Sequence, residues 1–327
     1  MLAMVLRVVG ASLVPEERPD PEPGPGEVRV RVEACAVCRT DLHLIDGELP
    51  QAVYPVVPGH EVVGTVEAAG AGVAAPRPGA RVGVPWLGHA CGACPYCKGG
   101  RENLCDAAGF TGCTRDGGFA SHLLAEAAFT VPLDPALDPV ATAPLLCAGL
   151  IGWRTLRMAG EAGTVGLYGF GAAAHIVAQI CRWEGRRVLA LTRPGDRAAQ
   201  DFARALGAEW AGGSDEAPPV PLDAALIFAP DGALVPAALA AVAKGGRVVC
   251  GGIHMSDIPA FPYARLWGER ALLSVANLTR ADAHGFFAMA PRAGIRTRTR
   301  TYPLIRANEA VADHRAGILT GAAVLVP

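Results

Sequence analysis

Four cysteines, Cys91, Cys94, Cys97 and Cys105, fall in a C-x2-C-x2-C-x7-C run. That spacing lets one short lobe close tetrahedrally around a zinc ion, so the segment of about 88–108 is constrained to wrap a metal whatever the rest of the chain does. A site with four thiolates is closed to substrate, and its usual work is structural. A chain carrying one therefore invites a search for a second, open metal site.

The rest of the composition narrows the field. The chain has 327 residues, of which 51% are hydrophobic, enough for two domains with buried cores. A formal net charge of −2 and a pI near 6.4 supply no basic surplus for a phosphate backbone, which argues against nucleic acid as a partner. The N-terminal Met1-Leu2-Ala3-Met4-Val5 is apolar but brief and is followed by Arg7, so neither secretion nor a membrane span is expected. A cytoplasmic location is the expectation. There the ten cysteines favour thiolate ligation over disulfides. Cys35, Cys113, Cys181 and Cys250 sit among apolar or small residues and read as buried small hydrophobes.

Texture divides the chain. From Pro15 to about Gly118 it is rich in glycine and proline, with alternating runs such as Glu27 to Glu33 and a second strand at Val62 to Val66, so this part reads as β. From Thr164 the pattern becomes strand, Gly169-Phe170-Gly171, helix Ala172 to Trp183, strand Arg187 to Leu191, helix Asp196 to Leu206, strand Ala224 to Phe228, helix Ala233 to Ala243 and strand Gly246 to Cys250. Strands alternating with helices at this spacing predict βαβ units and a parallel sheet. The apolar tail Ala323-Val324-Leu325-Val326 is expected to return to the first domain as a closing strand.

The motif Gly169-x-Gly171-x-x-Ala174 lies at a strand-to-helix turn, where backbone amides approach a pyrophosphate. At the end of the next strand, where selection for NAD places an acidic residue, this chain has Thr192-Arg193. Arg193 suits a 2′-phosphate and tips the expectation toward NADP, while Asp196 nearby is an alternative partner for the ribose. Three dispersed fragments complete the inventory: Cys38-Arg39-Thr40-Asp41-Leu42-His43, Pro58-Gly59-His60-Glu61, and Ala143-Pro144-Leu145-Leu146-Cys147. Two thiols and an imidazole leave a tetrahedral zinc one open position, as a catalytic site requires.

In their order and separations these fragments, the cysteine lobe and the glycine turn resemble the zinc-dependent alcohol dehydrogenases of the medium-chain dehydrogenase/reductase superfamily, over essentially the whole chain. The resemblance implies an α/β protein: a GroES-like β-rich catalytic domain at 1–148, a doubly wound Rossmann domain at 149–276, and a return to the catalytic domain at 277–327. It implies two zincs per chain, a catalytic one on Cys38, His60 and Cys147 and a structural one on Cys91, Cys94, Cys97 and Cys105. Glu61 is then a carboxylate able to approach the metal, Asp41 orients His60, Arg39 meets the cofactor pyrophosphate, Thr40 and His43 form a proton relay, and Trp86 lines the substrate pocket. The implied activity is reversible hydride transfer between a small-molecule alcohol and NAD(P) in a homodimer or homotetramer. The cysteine at 147, where polyol-oxidising relatives commonly have a carboxylate, favours simple alcohols over a polyol or carbonyl-preferring reductase. A zinc-ribbon binding module also uses cysteine runs, but it leaves Cys38, His60, Cys147 and the βαβ array without a purpose.

Overall fold

The computed structural model describes residues 1–319 and 321–327. The chain forms two compact units: Met1–Cys147 with Thr279–Phe287 and Arg296–Pro327, and Ala148–Leu278 with Ala288–Ile295. The segment 288–295, inside the stretch expected to return to the first domain, thus groups with the second unit.

In the first unit the strand Glu27–Val37 alternates as its sequence demands, with Val28, Val30 and Val32 buried and Arg29 and Arg31 turned outward. It is central to a seven-stranded sheet, antiparallel to Val62–Ala69 on one side and to Ala322–Val326 on the other. Arg81–Val84 and Val131–Pro132 extend the sheet beyond Val62–Ala69, while Thr299–Pro303 runs parallel to Ala322–Val326 at the opposite edge. His122–Glu126 pairs with the first half of Glu27–Val37. A continuous core that includes Val30, Leu44, Val62, Phe119 and Leu325 fills this unit.

The second unit is a six-stranded parallel sheet in the order Trp210–Gly213, Arg187–Thr192, Thr164–Tyr168, Leu222–Ile227, Val242–Cys250, Ala271–Ser274. In chain order that is 3-2-1-4-5-6, the doubly wound arrangement whose ligand crevice opens at the carboxyl ends of the strands where the order reverses. Gly169 follows the first strand at that reversal, and the helix Ala172–Trp183 begins from Gly171. Gly169 has φ +83°, and a Cβ there would meet Ala229 at 3.0 Å, so the tight turn requires glycine. Among the described residues no helix is long and apolar enough to cross a membrane.

Candidate metal centres and coenzyme turn

Among the described residues, two donor clusters lie in the first unit. Cys38, His60, Glu61 and Cys147 bring one ligand atom each to within 4.8 Å of one another, as do Cys91, Cys94, Cys97 and Cys105. Residues from three distant parts of the chain thus meet in the first cluster. Cys38 precedes the helix Arg39–Ile45, His60 lies just before Val62–Ala69, and Cys147 ends the 3-10 turn Ala143–Leu146.

Local structure holds each donor. Cys38 caps the helix: its Sγ accepts from Thr40 N–H at 3.3 Å, and its own N–H donates to Asp41 Oδ2 at 2.8 Å, so the two side chains close a capping box. The other Asp41 oxygen accepts from Gly59 N–H at 3.3 Å and stands 3.3 Å from His60 Nδ1. That second contact has ion-pair distance without hydrogen-bond alignment. His60 is fully buried, and Trp86 meets its ring edge-on with centroids 4.9 Å apart. Trp86 in turn stacks on Phe110 at 5.2 Å and is largely buried, which sets the indole beside a donor imidazole.

Charge within the cluster calls for a cation. Cys38 Sγ stands 3.2 Å from His60 Nε2 and 3.7 Å from Cys147 Sγ. The hydrogen bond from Cys147 holds the Cys38 thiol well below its ordinary range, and the same bond, with burial, pushes Cys147 well above it. Burial disfavours a charged His60, but the charges of Asp41 and Cys38 outweigh it and hold the imidazole well above its usual range. Burial and then the Cys38 charge raise Glu61 well above ordinary carboxylates. His60, Glu61 and Cys147 thus retain protons that a divalent ion would displace.

Geometry supports zinc. Two thiolates held at about 2.3 Å on a tetrahedral ion stand about 3.8 Å apart. The Cys38 to Cys147 separation is 3.7 Å, and Cys91 to Cys97 is 3.9 Å. In the lobe, backbone N–H groups of Cys91, Cys94 and Cys97 donate to the sulfurs of Cys105, Cys91 and Cys94 at 3.4 to 3.5 Å. Amides of Ala93 and Cys94 bring the Cys91 thiol down to about 6, while desolvation pushes Cys97 up to about 12. Both donor sets suit zinc, the lobe closed by four sulfurs and the other mixed.

Replacing Asp41 with Asn should weaken zinc binding at the mixed site about 10- to 100-fold, because the partner that steadies both His60 and the Cys38 cap loses its charge. A chelator competition titration reads this directly. An unchanged affinity would deny Asp41 that role.

The remaining candidates are placed as follows. Arg39 is exposed in the first turn of its helix, Thr40 is buried, and the His43 ring bonds through Nδ1 to Glu48. In the second unit Gly171 starts a helix without a side-chain cap, and Ala174 is buried one turn on. Thr192 is buried, its hydroxyl donating to the carbonyls of Arg193 and Gly212. Arg193 is exposed with no acidic partner among the described residues, and Asp196 caps the next helix through Ala199 N–H at 3.0 Å. Sequence reading missed Glu102, which is buried and accepts from Arg280 N–H at 3.1 Å and Nε at 3.2 Å, tying the metal lobe to a segment 178 residues away. No local pattern announces such a pair.

The family model for the alcohol dehydrogenase GroES-like domain matches residues 24–135. A probable alcohol dehydrogenase of Mycobacterium tuberculosis, AdhA, is 46% identical over 303 residues, covering 90% of this chain and 87% of that one. The chain belongs to the alcohol dehydrogenases of the medium-chain dehydrogenase/reductase superfamily. A second alcohol dehydrogenase, from Moraxella sp. (strain TAE123), is 33% identical across 99% of both chains. The cobalt- and zinc-bound thermostable alcohol dehydrogenase of Pyrobaculum aerophilum superimposes with a TM-score of 0.89 at 25% identity, covering 100% of this chain and 99% of that one. This alcohol dehydrogenase is therefore an NAD(P)-dependent oxidoreductase that interconverts alcohols and carbonyl compounds, and the reading as a binding module falls away.

Proposed function

We propose that Cys38, His60 and Cys147 hold the catalytic zinc of this dehydrogenase, with Glu61 beside it, and that the four-cysteine lobe holds a structural zinc. The observation that carries this is the convergence of one imidazole, two thiols and a carboxylate in a single cluster. A zinc held there supplies a Lewis acid that acidifies an alcohol hydroxyl or polarises a carbonyl. Asp41 steadies His60, and the Trp86 indole limits the room beside the imidazole, favouring small or unbranched alcohols. Thr40 and His43 carry the hydroxyl proton toward solvent.

The turn at Gly169 and Gly171 takes the coenzyme pyrophosphate, and Arg193 selects NADP through the 2′-phosphate. Asp196 spends Oδ1 on a helix cap and Thr192 spends its hydroxyl on backbone carbonyls, whereas Arg193 is exposed with no acidic partner among the described residues. A panel of alcohols and aldehydes assayed with each coenzyme, alongside metal analysis, tests the assignment. Two zincs per chain are expected, with kcat/KM at least about 10-fold higher with NADP than with NAD and that preference lost in Arg193→Ala. One zinc or none, or a strong preference for NAD, would sink the corresponding part.

The dehydrogenase is further proposed to act on small molecules as a cytoplasmic homo-oligomer. None of its ten cysteines is joined in a disulfide, which suits a reducing compartment. The strand Ala271–Ser274 ends its sheet, with Tyr263 and Trp267 exposed nearby at 71% and 62%. Those features favour a second copy as the cover. Light scattering in solution gives the mass.

A further inference from the structure

The helix Arg39–Ile45 ends so that the chain folds back over His43. Gly47, at φ +76°, lies just past the cap residue Asp46. Its N–H bonds to Leu44 O at 3.2 Å, and Glu48 N–H reaches His43 O at 2.9 Å. These two bonds form a Schellman motif, which needs a left-handed residue at position 47. A side chain at 47 would also approach Val9 to 2.6 Å. The turn therefore sets Glu48 beside the imidazole, where its carboxylate engages His43 Nδ1.

Charged neighbours pin the same turn. Arg315, from the helix Ala307–Ala316, grips Asp46 through two bonds of 2.7 and 2.8 Å. Charged groups near His43 include Glu48 and Asp46 on the turn, and Arg315 holds Asp46 from the neighbouring helix. Only 13% of the His43 side chain is exposed, so its ring is oriented by these contacts more than by solvent.

We propose that Glu48 is a positioning residue for proton release, fixing His43 in the tautomer whose Nε2 accepts the substrate proton. This rests on the reading of Thr40 and His43 as the relay. A carboxylate oxygen only accepts, so in the neutral ring the bridging proton belongs to Nδ1 and the basic lone pair to Nε2. The proton released by the alcohol adds to Nε2, and the imidazolium returns to the same neutral tautomer by giving one proton to water. Without Glu48 the ring divides between tautomers, and the fraction presenting a basic Nε2 falls.

The experiment compares Glu48→Ala, Glu48→Gln and His43→Gln with the parent enzyme, zinc- and coenzyme-loaded for kinetics. Nitrogen-15 NMR of the His43 ring reads the tautomer independently of turnover. The parent should show Nδ1–H. Glu48→Ala should mix the tautomers and lower kcat for alcohol oxidation about 10-fold with KM unchanged, and Glu48→Gln, whose amide oxygen still accepts, should restore most of both. Glu48→Ala with parent-like tautomer and kcat, while His43→Gln lowers kcat below neutral pH, would overturn the role of Glu48 and spare the relay. A kcat loss in Glu48→Ala with an unchanged tautomer would make Glu48 merely structural and overturn it too. An unaltered pH profile in His43→Gln would remove the relay itself, and the role of Glu48 with it.

Discussion

Replacing Cys147 with alanine is expected to lower kcat/KM for alcohol oxidation by about a thousandfold, close to 4 kcal/mol of transition-state stabilisation. The zinc content should fall from two per chain to one. Three protein donors are the fewest that leave a zinc both firmly bound and open to substrate, and removing a thiolate gives up charge as well as a ligand. The fold should survive. Cys147 follows the short 3-10 turn Ala143–Leu146, whose buried Leu146 does the packing, and alanine removes only a sulfur. Cys94→Ala is the natural contrast, since it strips the lobe and should lower thermal stability more than it lowers the specific activity of surviving enzyme. Full turnover from Cys147→Ala would dismiss this cluster as the catalytic centre.

The second large effect is expected from Gly59→Ala, a change of one methyl group beside His60. The residue has φ +97°, and a Cβ built on it would lie 2.4 Å from the Phe119 ring and 2.8 Å from Cys35 Sγ. Left-handed strain and overpacking each cost on the order of 1–3 kcal/mol. Together they should lower the melting temperature by about 5–10 °C. The Gly59 N–H also donates to Asp41 Oδ1, and the Gly59 carbonyl accepts from Gly118 N–H at 2.9 Å, so any relief of the clash drags the His60 segment. Zinc affinity at the mixed site should therefore fall along with stability. A variant that melts with the parent and binds zinc equally well would show that the neighbours yield freely.

The parallel sheet was legible in sequence because its strands at Thr164, Arg187 and Leu222 are apolar runs bracketed by glycine turns and helical periods. The fifth strand, expected over Gly246 to Cys250, begins at Val242, so Val242 and Ala243 belong to it and not to the preceding helix, which ends at Ala241. Trp210–Gly213 escaped notice: it is four residues long, half glycine, and lacks a β-branched residue, and only its pairing with Arg187–Thr192 makes it a strand. Ala271–Ser274 was passed over for the same reason of length. The lobe was legible because four ligands within fifteen residues form a local pattern. The mixed cluster was reached only through resemblance, since no periodicity joins residues 38, 60 and 147. The use of Asp196 as a cap, and the pairings of Glu102 with Arg280 and Asp46 with Arg315, are set by tertiary structure and leave no mark on spacing.

Cys38 does two jobs with one sulfur, starting a helix and offering a donor to the metal cluster. The first job asks only for a short side chain with an acceptor, a demand that serine or aspartate meets at least as well as cysteine. The second asks for a particular softness toward metals. Position 38 is therefore a place where metal preference can drift, toward harder ions with an oxygen donor, while the helix carrying Thr40 and His43 keeps its start.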